Sequence, residues 1–78
     1  MACINPDGTL TKIAQAVLTT LDTPKTASQA AVDAGVPLYR VRATLRETGA
    51  AGLVAIVIED RFGLTEKGLE VLELSGEY

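Results

Sequence analysis

The sequence predicts an α+β domain, mainly helical: a three-helix bundle, a β-hairpin and a C-terminal helix, in one domain over 1–78. Three observations predict it. Apolar residues recur at helical spacing near the N-terminus. The period then changes to a β-branched run at 53–58. Between and after these, helix caps and stops fall at short intervals. At 78 residues and 47% apolar composition the chain suits a single thin-cored domain, which buries about 60% of the surface its unfolded form exposes.

Residues 1–8 read as an irregular N-terminal arm, since Asn5-Pro6-Asp7-Gly8 is turn chemistry. Thr9 then caps a helix over 10–21. Its residues Leu10, Ile13, Ala14, Val17, Leu18 and Leu21 fall on one stripe. Asp22-Thr23-Pro24 stops it, because Pro disfavours helix in the residue before it. Thr26-Ala27-Ser28-Gln29 fits the capping box and opens a second helix, whose Ala27, Ala30, Ala31 and Ala34 form a small-residue face. Gly35 suits the left-handed stop, and Pro37 suits the first position of a third helix at about 37–49. Leu38, Val41 and Leu45 share the inner side of that helix; Tyr39, Arg40, Ala43, Arg46 and Glu47 lie opposite, with Arg42 on the flank. Gly49 and Gly52 both offer its stop. Leu53-Val54-Ala55-Ile56-Val57-Ile58 reads as a strand, Glu59-Asp60-Arg61 as a tight turn and Phe62-Gly63-Leu64 as the return strand. Thr65 caps a last helix over 66–75, with Glu66 in its first turn.

Composition narrows the chemistry. There is no His and no Trp, and Cys3 is the only Cys. Zinc and iron–sulfur sites need several Cys or His ligands, a disulfide within one chain needs two Cys, and imidazole acid–base catalysis needs His. No glycine-rich phosphate loop and no nucleophile motif is present. The expectation is therefore a non-enzyme without metal or cofactor. The longest apolar run, Leu53–Ile58, is far short of the ~18 residues of a spanning helix. The N-terminus MACINPDG lacks the pattern of a secretion signal, so the expected location is cytoplasmic, without membrane attachment.

Two short helices joined by a Gly-containing turn, followed by a hairpin, carry a resemblance. Its residues are Thr26 to Pro37, then Val41-x-x-x-Leu45-Arg46-Glu47, Ala51-Gly52-Leu53-Val54, and Leu64-Thr65-Glu66-Lys67-Gly68. Over about 9–75 the chain resembles the winged helix-turn-helix domain of small bacterial and archaeal transcriptional regulators. The multiple-antibiotic-resistance and arsenic-responsive repressor groups carry a similar L-R-E-x-x-x-A-G-L-V … L-T-x-x-G pattern. The resemblance implies binding to double-stranded DNA. Tyr39, Arg40, Arg42 and Ala43 would read bases, Arg46 would reach the backbone, and the wing tip would offer Arg61. The wing departs from the commoner basic type, because Glu59 and Asp60 stand beside Arg61. Thr26 and Ser28 could meet a phosphate through backbone N–H groups, with Lys25 as the nearby cation.

Charge is unevenly spread along a chain of net −3. Residues 1–36 carry Lys12 and Lys25 against Asp7, Asp22 and Asp33. Residues 37–50 carry Arg40, Arg42 and Arg46 against Glu47 alone. Residues 51–78 carry Arg61 and Lys67 against Glu59, Asp60, Glu66, Glu70, Glu73 and Glu77. The one basic segment is the third helix, and all its basic residues are Arg, which pairs bidentately with guanine or phosphate.

The strand 53–58 is apolar on both faces, and an uncovered apolar face is a contact surface. In the last helix Glu66, Glu70, Glu73 and Glu77 form one acidic stripe. Leu69 and Leu72 lie to one side of it, Val71 and Leu74 to the other. This predicts a homodimer through an outer face of Val54, Ile56, Ile58, Val71 and Leu74. The alternative is a winged-helix module that docks on another protein without binding DNA, favoured by the acidic balance and the apolar strand.

Overall fold

The computed structural model describes residues 4–75. Cys3, the end of the arm and Glu77 lie outside the described residues. The elements are α1 (Lys12–Thr19), a 3-10 turn (Thr20–Asp22), α2 (Ala27–Ala34), α3 (Leu38–Ala50), β1 (Val54–Ile58), β2 (Arg61–Leu64) and α4 (Glu66–Ser75). The architecture is thus α+β and mainly helical: four α-helices and a two-stranded antiparallel hairpin.

The N-terminal stripe is core throughout its length, but only its middle is α-helix. Ala14, Val17 and Leu18 are buried on α1 and Leu21 is buried in the 3-10 turn. Leu10 is buried outside the helix, in an antiparallel bridge with Ile4. The described part of the arm is therefore held by backbone bonds: the Gly8 N–H donates to the Asn5 carbonyl at 2.9 Å, and the Asn5 N–H to the Thr9 carbonyl at 2.6 Å. Thr9 does not cap α1, because its N–H and hydroxyl both donate to Asp7 Oδ1, at 3.0 and 2.6 Å. These bonds hold the exposed Asp7 carboxyl below its ordinary pKa. Thr11 is the cap, its hydroxyl oxygen accepting the Ala14 N–H at 3.4 Å.

The two middle helices follow their sequence signals. Thr26 caps α2, with its hydroxyl accepting the Gln29 N–H at 3.1 Å. Gly35 ends α2 in the left-handed region, φ +68°; its N–H donates to the Val32 carbonyl and that of Val36 to the Ala31 carbonyl. That is the Schellman closure, and it turns the chain sharply into α3. Pro37 sits one residue earlier than expected, as the N-cap of α3. Gly52, at φ +81°, ends α3 with the same paired bonds, Gly52 N–H to Gly49 carbonyl and Leu53 N–H to Thr48 carbonyl. Gly49 is helix interior. The buried side of α3 carries Val41 and Leu45 as expected, and also Thr44 and Thr48. Thr48 is accommodated because its hydroxyl donates to the Thr44 carbonyl at 2.7 Å.

In the hairpin, Val54 pairs with Leu64, Ala55 with Gly63, Ile56 with Phe62 and Ile58 with Arg61, with a bulge at Val57. Arg61 thus belongs to the strand, and the turn is Glu59-Asp60, with Glu59 at φ +50°. β2 has a second neighbour: Lys25 and Phe62 exchange backbone hydrogen bonds of 3.0 and 2.7 Å. The segment before α2 is therefore tied to the hairpin, leaving β1 on the outside.

α4 closes the core through a face the sequence reading did not choose. Its inner residues are Gly68, Val71, Leu72 and Ser75, at i, i+3, i+4 and i+7. Gly68 sets this face: a Cβ built on it would lie 1.8 Å from the Leu53 carbonyl oxygen. The Thr65 hydroxyl accepts the Gly68 N–H at 2.9 Å and donates to the Gly52 carbonyl at 2.6 Å. At the far end the Leu10 N–H donates to Ser75 Oγ at 2.7 Å, so α4 locks the arm. Glu66, Glu70 and Glu73 occupy the opposite, exposed face. Among the described residues no helix is long and apolar enough to cross a membrane.

Candidate nucleic-acid interface

The basic helix α3 presents its polar side to solvent. Tyr39 is 72% exposed, and Arg42 and Arg46 are exposed. Spacings of three, four and seven place these three on one face, with the half-buried Ala43 among them. Arg42 is therefore part of the outer face rather than its flank. Arg40 takes the half-buried flank, where it is engaged within the chain.

Arg42 and Arg46 also border a cleft of about 260 Å³, with Ala27, Leu45 and Phe62 as its other walls. Ala27 opens α2 and Phe62 lies on β2, so the cleft joins three elements. The Lys25–Phe62 backbone bridge holds these walls together. The cleft brings the two arginines beside the start of α2, where Ser28 is exposed and Thr26 half-buried. It also brings them beside the hairpin, where Arg61 is exposed and adjacent to Phe62. Phe62 and Ala27 were not expected here. Neither has charge or polarity to announce it; only the Lys25–Phe62 pairing, a long-range contact, places them.

Lys25 is a correction. Its ammonium is directed inward rather than toward a ligand, with its side chain only 20% exposed. It donates to Asp22 Oδ1 at 3.1 Å and to the Thr20 carbonyl, and lies 3.7 Å from Asp33 Oδ2. Two carboxylates neutralise it, and it joins the 3-10 turn to α2. The hydrogen bond and charge of Lys25 hold the exposed Asp22 carboxyl below its ordinary pKa.

The apolar surface is likewise redistributed. Val54 is 4% exposed and belongs to the core, because its pairing with Leu64 turns it inward. Val71 packs partly buried against that core, on the Gly68 face of α4. Ile56 (63%) and Ile58 (59%) on β1 and Leu74 on α4 are exposed as expected, and Val57 (58%) and Leu69 join them. The bulge at Val57 breaks the alternation of faces, so consecutive residues reach solvent. Between α4, the hairpin and the 3-10 turn lies an open groove of about 620 Å³, walled by Leu21, Pro24, Val57 and Leu69, with Asp22 and Glu66 also lining it.

Among the described residues no group of three His, Cys, Asp or Glu is placed to hold a metal ion. Comparison with protein-family profiles, with curated proteins and with solved structures finds no match to the chain.

Proposed function

We propose that the chain is a DNA-binding transcriptional regulator of the winged helix-turn-helix type, acting in the cytoplasm as a homodimer, with α3 entering the major groove. One observation carries the reading: the outward face of α3, the most basic helix among the described residues, sets Tyr39, Arg42 and Arg46 in a row, beside the start of α2 and the hairpin. A recognition helix needs this disposition. The side chains that reach base edges share the exposed face, while neighbouring elements stand close enough to touch the flanking phosphates. Arg42 and Ala43 meet bases, Tyr39 a base edge or phosphate, and Arg46 the backbone. Ser28, Thr26 and the hairpin's Arg61 are the outer phosphate contacts. Arg40 takes a supporting place on the flank, and Lys25 is a structural cation rather than a contact. No enzymatic role is proposed.

Anisotropy of a labelled random duplex at about 50 and 200 mM salt tests this, with the triple Arg40/Arg42/Arg46→Ala protein as control. Binding that salt weakens and the control loses supports it. Absence of binding at both salts refutes it. That result would favour the second reading, a protein-docking module without DNA binding, for which the open groove beside Val57 and Leu69 is the observation.

A further inference from the structure

We infer that the outer edge of β1 pairs antiparallel with β1 of a second copy, about a two-fold axis at Ile56, making one continuous sheet across the dimer. The inference deepens the homodimer part of the proposal and rests on it, but not on DNA binding. β1 is a true edge: β2 is flanked by β1 on one side and by Lys25 on the other, and among the described residues β1 pairs with β2 alone. An edge strand offers a row of backbone donors and acceptors to any second strand. Monomeric proteins guard such edges with Lys, Pro, inward charges or a bulge. β1, Val-Ala-Ile-Val-Ile, has no Lys, no Pro and no charge; its guard is the one bulge at Val57. The three exposed residues Ile56, Val57 and Ile58 lie side by side on it.

Charge decides in favour of a second copy. From Thr48 to Ile58 the chain carries no charged residue. Antiparallel pairing centred on Ile56 sets Val54 opposite Ile58 and Ala55 opposite Val57. It sets Glu59 opposite Leu53, so no like charges meet. A two-fold contact on α4 would instead bring the Glu66, Glu70 and Glu73 stripe against itself, which costs stability. A head-to-tail contact pairing α4 with α3 would cover Arg42 and Arg46. Edge pairing leaves both charged faces open.

The test is mass in solution, without DNA, by sedimentation and light scattering of the full chain. The wild type is expected at twice 8.2 kDa at tens of micromolar. Ile56→Lys should be a folded monomer by circular dichroism, and Leu74→Lys should remain a dimer. Cys3→Ser/Ile56→Cys should cross-link to a covalent dimer on mild oxidation, because two-fold-related residues at the axis of an antiparallel pair have their Cβ atoms about 5 Å apart. Cys3→Ser/Leu74→Cys should not. A wild-type monomer at these concentrations overturns the inference. So does a dimer that Ile56→Lys leaves intact and Leu74→Lys dissolves, or partnering seen only with a different protein. Because no readout involves nucleic acid, failure here leaves the DNA reading to stand or fall on the arginine variants.

Discussion

Gly68 has no room for a side chain. A Cβ there would stand 1.8 Å from the Leu53 carbonyl oxygen, a backbone atom that also accepts the Thr65 N–H at 3.0 Å. It cannot move aside without breaking that bond. Gly68→Ala is therefore expected to cost at least the ~3 kcal/mol at the upper end of overpacking, read as a drop in thermal midpoint. Gly49→Ala is the counterpart. Its Cβ would meet Val54 Cγ2 at an ordinary 3.8 Å in a helix interior, so it should stabilise by up to ~1 kcal/mol. Lys25 separates structure from recognition at the same scale. Lys25→Met should leave the salt dependence of duplex binding unchanged, whereas Arg46→Ala, which removes a phosphate contact, should reduce its slope by about 1. Lys25→Met should return the Asp22 carboxyl toward its ordinary value, visible in a carboxyl NMR titration. Because Lys25 lowers the folded-state pKa of Asp22, the stabilisation is present above that ordinary value. It is lost as pH falls through the depressed one.

At the scale of elements, the closing turn is expected to be worth more than its size suggests. Thr65 caps α4 and donates to the Gly52 carbonyl, so Thr65→Ala should lose about 1–2 kcal/mol in denaturant unfolding. Thr48→Val, by contrast, removes a hydroxyl whose bond stays within its own helix. It should be near neutral or slightly stabilising. The contrast bears on what could be read from the residues alone. Thr26 and Gly35, and Thr65 through its cap on Gly68, act locally, through bonds three to five residues long, and local chemistry is what a sequence displays; the Thr65 bond to the Gly52 carbonyl appears only in the fold. The apolar stripe from Leu10 to Leu21 identified the core but not the helix ends. Periodicity reports burial, and Leu10 is buried from a bridge that the Asn5–Gly8 turn makes. Strand parity was ambiguous because β1 is apolar on both faces and bulged; only packing against Leu64 shows Val54 inside. The inner face of α4 was hidden because Gly68 and Ser75, which define it, are not apolar. Lys25 looked like a free cation because Asp22 and Asp33 converge on it only in the folded chain.

For the whole molecule, charge segregation is what makes an acidic protein compatible with the proposed nucleic-acid partner. The chain is net −3, yet its positive surface is concentrated on α3 and its negative surface on the outer face of α4. A uniform charge of that sign would repel a duplex. A segregated one can orient the molecule, attracting through one face and repelling through the other. The number of arginines then limits how steeply affinity can depend on salt. Each neutralised phosphate contributes about −0.9 to the slope of log affinity against log salt. Arg46 and Arg61 on the phosphates in one protomer give a slope of about −2, and a two-fold dimer on two half-sites a slope of about −4. Titrations of the wild type from about 50 to 200 mM salt should show the steeper value, and Ile56→Asn, uncharged and unable to hold the apolar edge, the shallower. A wild-type slope of about −2 with a dimeric mass would mean that only one of the two α3 helices reaches DNA. The edge-paired sheet would then set the helices too far apart, or at too wide an angle, for half-sites one helical turn apart.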